Sequence, residues 1–319
     1  MKFPRLALLV GLAMLATSPA PATAPADEGW TLVWSDEFGG ETIDRSKWGF
    51  DVDCWGGGNG ERQCYTAKAR NASVEDGKLV ITARRERVTG PALPEQQRHH
   101  SATPEAAVTR DFSSARITTR GKQAWRYGRF EIRAKLPQGQ GTWPAIWMLP
   151  EKDFYGKWAA SGEIDILEAV NLGVPCNSCQ GGRENRILGT LHFGGQWPKN
   201  LHKGEEAQFP PSLDGAFHTY AVEWYPDRMI WQFDGQTFAE RHQDEWSTAG
   251  SARPGAPFDQ PFHLILNLAI GGKLPEGRGL GGVRLDGYPK RLEIDWVRVW
   301  QKPDMSGPPA QRKRDQGDK

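Results

Sequence analysis

Glu163, Asp165 and Glu168 place three carboxylates within six residues, among the large apolar side chains of Ile164, Ile166 and Leu167. Successive side chains of a β-strand point to opposite faces, so Glu163 and Asp165 share one face and Ile164 and Ile166 the other. Glu168 falls at an odd offset and points the wrong way in a regular strand. One extra residue near Leu167, a β-bulge, returns it to the face of Glu163. Paired carboxyls roughly 5–5.5 Å apart, one a nucleophile and one an acid/base, are what double displacement at a glycosidic carbon requires. Acids alternating along a strand ordinarily mark a solvated face. Here no Lys or Arg within the run relieves their repulsion, and bulges concentrate beside active sites.

The elements that must hold these acids read as strands. Short apolar-alternating runs broken by Gly, Asp, Asn and Pro recur along the chain, and no long amphipathic helical pattern interrupts them. Expected strands cover residues 30–34, 114–119, 128–136, 143–149, 162–169, 189–193, 217–224, 229–233, 262–269 and 291–300, with a hairpin over 74–84 turning at Asp76-Gly77. This pattern predicts an all-β sandwich or barrel. Residues 51–66 read as a glycine-rich loop and 87–110 as an exposed polar loop. Alternation turns Ile146, Met148, Leu191 and Phe193 to the core and Trp143, Trp147 and His192 to the opposite face. By the same rule Arg129 points outward from the 128–136 strand. Large aromatics facing away from the core call for a ligand or a covering element, and flat rings suit the apolar faces of sugars. Trp30, Trp34, Trp224, Trp231, Trp296 and Trp300 are assigned to the core.

The chain has 319 residues, with 14 Trp, 37 Gly and 23 Pro, and reads as one large domain. Lys2 and Arg5 precede an apolar stretch over 6–16 and then small residues, the pattern of a secretory signal cleaved after Ala24, or after Ala20. Loss of those two cations takes the formal charge from +1 to −1. A near-neutral balance gives no reason to expect nucleic acid or an anionic membrane as partner. The mature chain is expected as a secreted or periplasmic monomer of residues 25–302 with a disordered tail over 303–319. Cys54, Cys64, Cys176 and Cys179 allow three disulfide pairings. The local pairs Cys54–Cys64 and Cys176–Cys179 are the simplest, and a zinc half-site is the rival reading of Cys-x-x-Cys. Asn71-Ala72-Ser73 fits a glycosylation sequon, expected to be unmodified.

These motifs, in this order, resemble family 16 glycoside hydrolases, specifically the laminarinase-like endo-β-1,3-glucanases. The resemblance rests on Trp-Ser-Asp-Glu-Phe at 34–38, Gly-Asn-Gly-Glu at 58–61, Tyr-Gly-Arg-Phe-Glu at 127–131, Gly-Thr-Trp-Pro-Ala-Ile-Trp-Met-Leu at 141–149, Gly-Glu-Ile-Asp-Ile-Leu-Glu at 162–168, Gly-Thr-Leu-His-Phe at 189–193 and Ile-Asp-Trp-Val-Arg-Val at 294–299. It implies a β-jelly-roll of two curved antiparallel sheets with substrate on the concave face. It implies Glu163 as nucleophile, Asp165 as its helper and Glu168 as acid/base. It further implies Trp143 and Trp147 at the subsites before the cleaved bond, with Asn59 and His192 also touching sugar. Arg129 is added from its outward direction alone. A structural calcium on the convex side is implied at Glu37, Gly77 and Asp295, since hard oxygen donors suit that ion; no cofactor is expected for the chemistry. The implied substrate is β-1,3-glucan. Mixed-linkage glucan, a galactan, transglycosylation, or a binding-only module of the same fold are the alternatives.

Overall fold

The apolar positions picked out by alternation are the ones that close the core. Phe130, Ile132 and Ala134 of strand Gly128–Lys135 are fully buried, as are Ile146 and Met148 of Thr142–Pro150. Ile164, Leu191 and Phe193 join them from two neighbouring strands. A computed structural model describes residues 29–208, 213 and 215–305. The expected leader over 1–24 and the tail beyond 305 lie outside the described residues. Within the expected tail, Pro303–Met305 forms one turn of 3-10 helix and buries Met305.

Two sheets stack as an all-β jelly-roll sandwich. The smaller runs Asn200–Gln208, Arg186–Gly194, Glu163–Ala169, Thr142–Pro150, Phe262–Ile270, Arg116–Thr118 and Gly49–Asp51, each antiparallel to its neighbour. The larger runs Gln236–His242, Arg228–Phe233, His218–Trp224, Gly128–Lys135, Lys290–Gln301, Lys78–Pro91, Ala107–Ser114 and Gln63–Tyr65. Thr31–Asp36 joins Lys290–Gln301, and Ala72–Glu75 joins Lys78–Pro91. The predicted turn at Asp76-Gly77 is present, with φ of 49° and 70°. Two successive positive φ values are the demand of a type I′ hairpin turn, which Asp-Gly meets at low cost.

The segment 87–110 is a correction. Its ends extend a long hairpin, with Arg84 to Pro91 paired against Ala107 to Ser113 and a short helix Glu95–Arg98 at the tip. Polar side chains hid the strands because this hairpin overhangs the core and both its faces meet solvent. Its tip is held to the glycine-rich loop. Pro91 O accepts from Cys54 N at 2.7 Å, and Arg110 donates to Cys54 O. Gly49–Asp51, Gln63–Tyr65, Asn200–Gln208 and Gln236–His242 were also not expected as strands. Trp296 is only partly buried, under the Arg298 guanidinium, rather than in the core.

Candidate active site

The carboxylates lie in the middle of the smaller sheet. Against the 186–194 strand, Glu163 pairs with His192 and Asp165 with Thr190, and the register then slips before Glu168 pairs with Leu188. Against 142–150 the slip falls between Asp165 and Leu167. The expected bulge is therefore present, and Ile164, Ile166 and Leu167 are all buried while Glu168 faces the site side. An irregular ladder leaves backbone groups to be satisfied from elsewhere. Trp231, from the opposite sheet, donates its indole N–H to Asp165 O at 2.8 Å. It passes over Gly189, where an added Cβ would lie 2.4 Å from the indole. Glycine at 189 is thus a packing requirement.

Each acid has its own partners. Trp158 Nε1 donates to Glu163 Oε2 at 2.7 Å, and Trp143 Nε1 donates to Glu168 Oε1 at 2.9 Å. His192 Nε2 lies 3.3 Å from Asp165 Oδ2 and 3.7 Å from Glu163 Oε1, charge contacts rather than aligned hydrogen bonds. Burial, then the Asp165 charge, pushes Glu163 up to about 7. The same two causes push Glu168 up to about 8, with Glu163 adding to the effect. Burial works against a charge on His192, but Asp165, Glu163 and Glu168 overcome it and raise the imidazole to about 10. Between pH 7 and 8 the site therefore favours an ionised Glu163, a protonated Glu168 and a cationic His192. Because Trp143 donates to Oε1 of Glu168, the acid proton belongs on Oε2.

Trp147 is half-buried, and its Nε1 donates to Asn267 Oδ1 at 2.7 Å. Arg116 stacks beneath it, 5.3 Å from the ring, and also covers Tyr65 at 4.6 Å. Trp143 is buried against Val170, Ala269 and Leu274. Asn59 lies at the same end of the sheet. Its carbonyl accepts from Lys273 N at 2.8 Å, and a Cβ at Gly272 would touch both Asn59 O and Trp143. The Cys54–Cys64 disulfide closes this loop, and Cys176–Cys179 closes the turn beyond the catalytic strand, as the local pairing anticipated. The side chain of Asn71 is buried, with Nδ2 donating to Thr82 O and Ser113 Oγ, which leaves no room for a glycan.

Arg129 is not part of this constellation. It sits in the larger sheet, buried, with its guanidinium bound to Glu223, Glu131 and Gln232. Alternation tells which side of its own sheet a residue faces, but not which sheet it joins. Trp158, Arg116 and Asn267 were missed. Trp158 sits in a turn, where periodicity carries no information, although its place five residues before Glu163 was the available clue. Arg116 stands in a three-residue strand too short to show a pattern.

Two groups of side chains have the spacing of metal ligands among the described residues: Cys176, Cys179 and Glu184, and Glu163, Asp165 and His192. The first is closed by its disulfide. The second contains a histidine held as a cation, whereas a ligating imidazole must be neutral. The three residues expected to hold calcium fall at one place in the strand register. One edge of Lys290–Gln301 pairs with Lys78–Pro91 as far as Ile294 and with Thr31–Asp36 from Val297 onward. Asp295 lies at the gap between them, with Gly77 and Glu37 at the facing strand ends, all in the larger sheet. Arg298 grips both oxygens of Glu37 at 2.9 and 2.8 Å, and Arg133 pairs with Asp295. Both carboxylates are thus held by arginines, which an ion there would have to displace.

The model of glycosyl hydrolases family 16 matches residues 59–298. Glucan endo-1,3-beta-glucosidase A1 of Niallia circulans is 40% identical over 290 residues, which is 88% of this chain but 39% of that protein. The glucan endo-1,3-beta-glucosidase of Cryptopygus antarcticus is 41% identical over 85% of this chain and 92% of its own length. The laminarinase structure from Rhodothermus marinus superposes with a TM-score of 0.68 at 38% identity, over 86% of this chain and 98% of that one. The fold, the bulged carboxylate strand and these matches together make this chain a member of family 16 of the glycosyl hydrolases.

Proposed function

We propose that the chain hydrolyses internal bonds of β-1,3-glucan by double displacement with retention. The observation that carries this is the bulge between Asp165 and Glu168, which puts both glutamates on one face of a sheet floored by Trp147 and edged by Trp143. Ionised Glu163 attacks the anomeric carbon while Glu168 gives its proton to the departing glycosidic oxygen. Glu168 then takes a proton from water, the water oxygen bonds to the anomeric carbon, and Glu163 leaves as carboxylate. Trp158 fixes one oxygen of Glu163. Asp165 and His192 set the local charge, the anion keeping Glu168 protonated and the cation keeping Glu163 available. The site needs no cofactor for these steps.

The substrate is read from a relative whose name specifies glucan endo-1,3-beta-glucosidase and which is matched over 92% of its length, and from a solved laminarinase matched over 98% of its own. Reducing-end release from laminarin, lichenan and agarose tests it. Laminarin should be cleaved fastest; preference for agarose would overturn the substrate, and no release from any would overturn the activity. Export to the periplasm or medium is inferred from the leader-like residues 1–24, together with two disulfides. Action as a monomer and a structural calcium at Glu37, Gly77 and Asp295 belong to the same proposal.

A further inference from the structure

Three rings form a line that leads away from the nucleophile. The Trp158 ring, whose indole bonds Glu163, lies 5.7 Å from the His192 ring. The His192 ring lies 5.8 Å from that of His202. His192 and His202 are directly paired on adjacent strands, so both side chains leave the sheet on the site face. His202 is exposed, on the edge strand Asn200–Gln208. Neighbouring strands lie about 4.8 Å apart, so each strand crossed adds one ring to the line.

The edge strand is also anchored. Glu206, on the same face as His202, pairs with Arg278 at 2.5 Å and with Arg186 at 3.3 Å. Arg186 in turn holds the buried Glu184. A binding contact on such a strand is fixed in place before the ligand arrives.

A glucan lying over Glu163 and Glu168 must extend to both sides of the catalytic strand. Trp143 and Trp147 occupy the side expected to hold sugars before the cleaved bond. The opposite side, over 186–194 and 200–208, is left for the leaving chain. Resting on the reading of the chain as an endo-acting β-glucanase, we propose that His202 binds a glucosyl unit beyond the cleaved bond, the imidazole face lying against the sugar. A sugar held there after the first step is also an acceptor. Its hydroxyl oxygen replaces Glu163 on the anomeric carbon, and its proton passes to Glu168, so the bond count balances as it does with water.

The test compares His202→Ala with the parent on two substrates. One is a linear β-1,3-linked glucohexaose. The other is an aryl β-laminaribioside, whose small phenol leaving group carries no sugar past the cleaved bond. On the hexaose, kcat/KM should fall by about tenfold, the upper range for loss of one ring contact. On the aryl glycoside it should stay unchanged. His202→Phe should recover most of the loss, and transfer products at high hexaose concentration should decline in His202→Ala. Equal losses on both substrates would show that His202 acts through His192 and would overturn the proposal, as would no loss on either. A folded parent inactive on both substrates would instead overturn the functional reading, and this inference with it.

Discussion

The indole N–H of Trp231 reaches from one sheet to the backbone carbonyl of Asp165 in the other, at 2.8 Å. A core side chain thereby holds the catalytic strand at the point where its own ladder is irregular. Trp231→Phe keeps most of the packing but strands a buried carbonyl, which costs about 1–3 kcal/mol. The expected result is a lower melting temperature and a lower kcat with KM little changed, read by calorimetry and steady-state kinetics. Parental kcat with the same thermal loss would reduce Trp231 to an ordinary core residue.

Glu163→Ala and Glu168→Ala should each lower turnover by several orders of magnitude while leaving circular dichroism unchanged. Azide should restore product formation only in Glu163→Ala, as a glycosyl azide of inverted configuration, because the anion fills the space of the nucleophile. Near-parental turnover in either variant would remove that residue from its role.

The pH dependence follows from the two raised carboxyls. Below about 7, Glu163 takes up a proton and cannot attack. Above about 8, Glu168 loses the proton it must give. The profile of kcat/KM should be a narrow bell with limbs near these values. His192 as a cation favours the ionised form of both acids. In His192→Asn both limbs should therefore move to higher pH. Limbs that stay in place would mean that His192 is neutral in the working enzyme.

Trp143 and Trp147 should separate in their effects. Trp147 is half-buried, so Trp147→Ala should weaken oligosaccharide binding with little thermal loss. Trp143 is buried and lowers the pKa of Glu168 through its hydrogen bond. Trp143→Phe should move the basic limb of the pH profile upward, and Trp143→Ala should lower both activity and melting temperature. Binding by calorimetry and thermal scans of the three variants decide this.

Calcium should raise the melting temperature, and a chelator should reverse it, without changing kcat at a temperature where both forms are folded. Glu37→Gln and Asp295→Asn should abolish the increment. No thermal response in the parent protein would leave Arg298 and Arg133 as the sole partners of these acids.

The carboxylates proposed to do the chemistry were legible in the chain because a strand repeats every two positions. Glu163 and Asp165 share a face by count alone, and the odd offset of Glu168 was enough to demand the bulge. Turn chemistry was equally local, as at Asp76-Gly77. Three-dimensional assembly alone decided which faces meet. Arg129 obeys the same alternation as His192, yet it lies in the other sheet, because period two carries no record of strand order. Trp158 and Arg116 enter the site from a turn and a three-residue strand, where no period exists. The line from Trp158 to His202 and the reach of Trp231 to Asp165 join residues 44 and 66 positions apart along the chain. Such contacts arise from sheet register and the stacking of two layers, which no local pattern encodes.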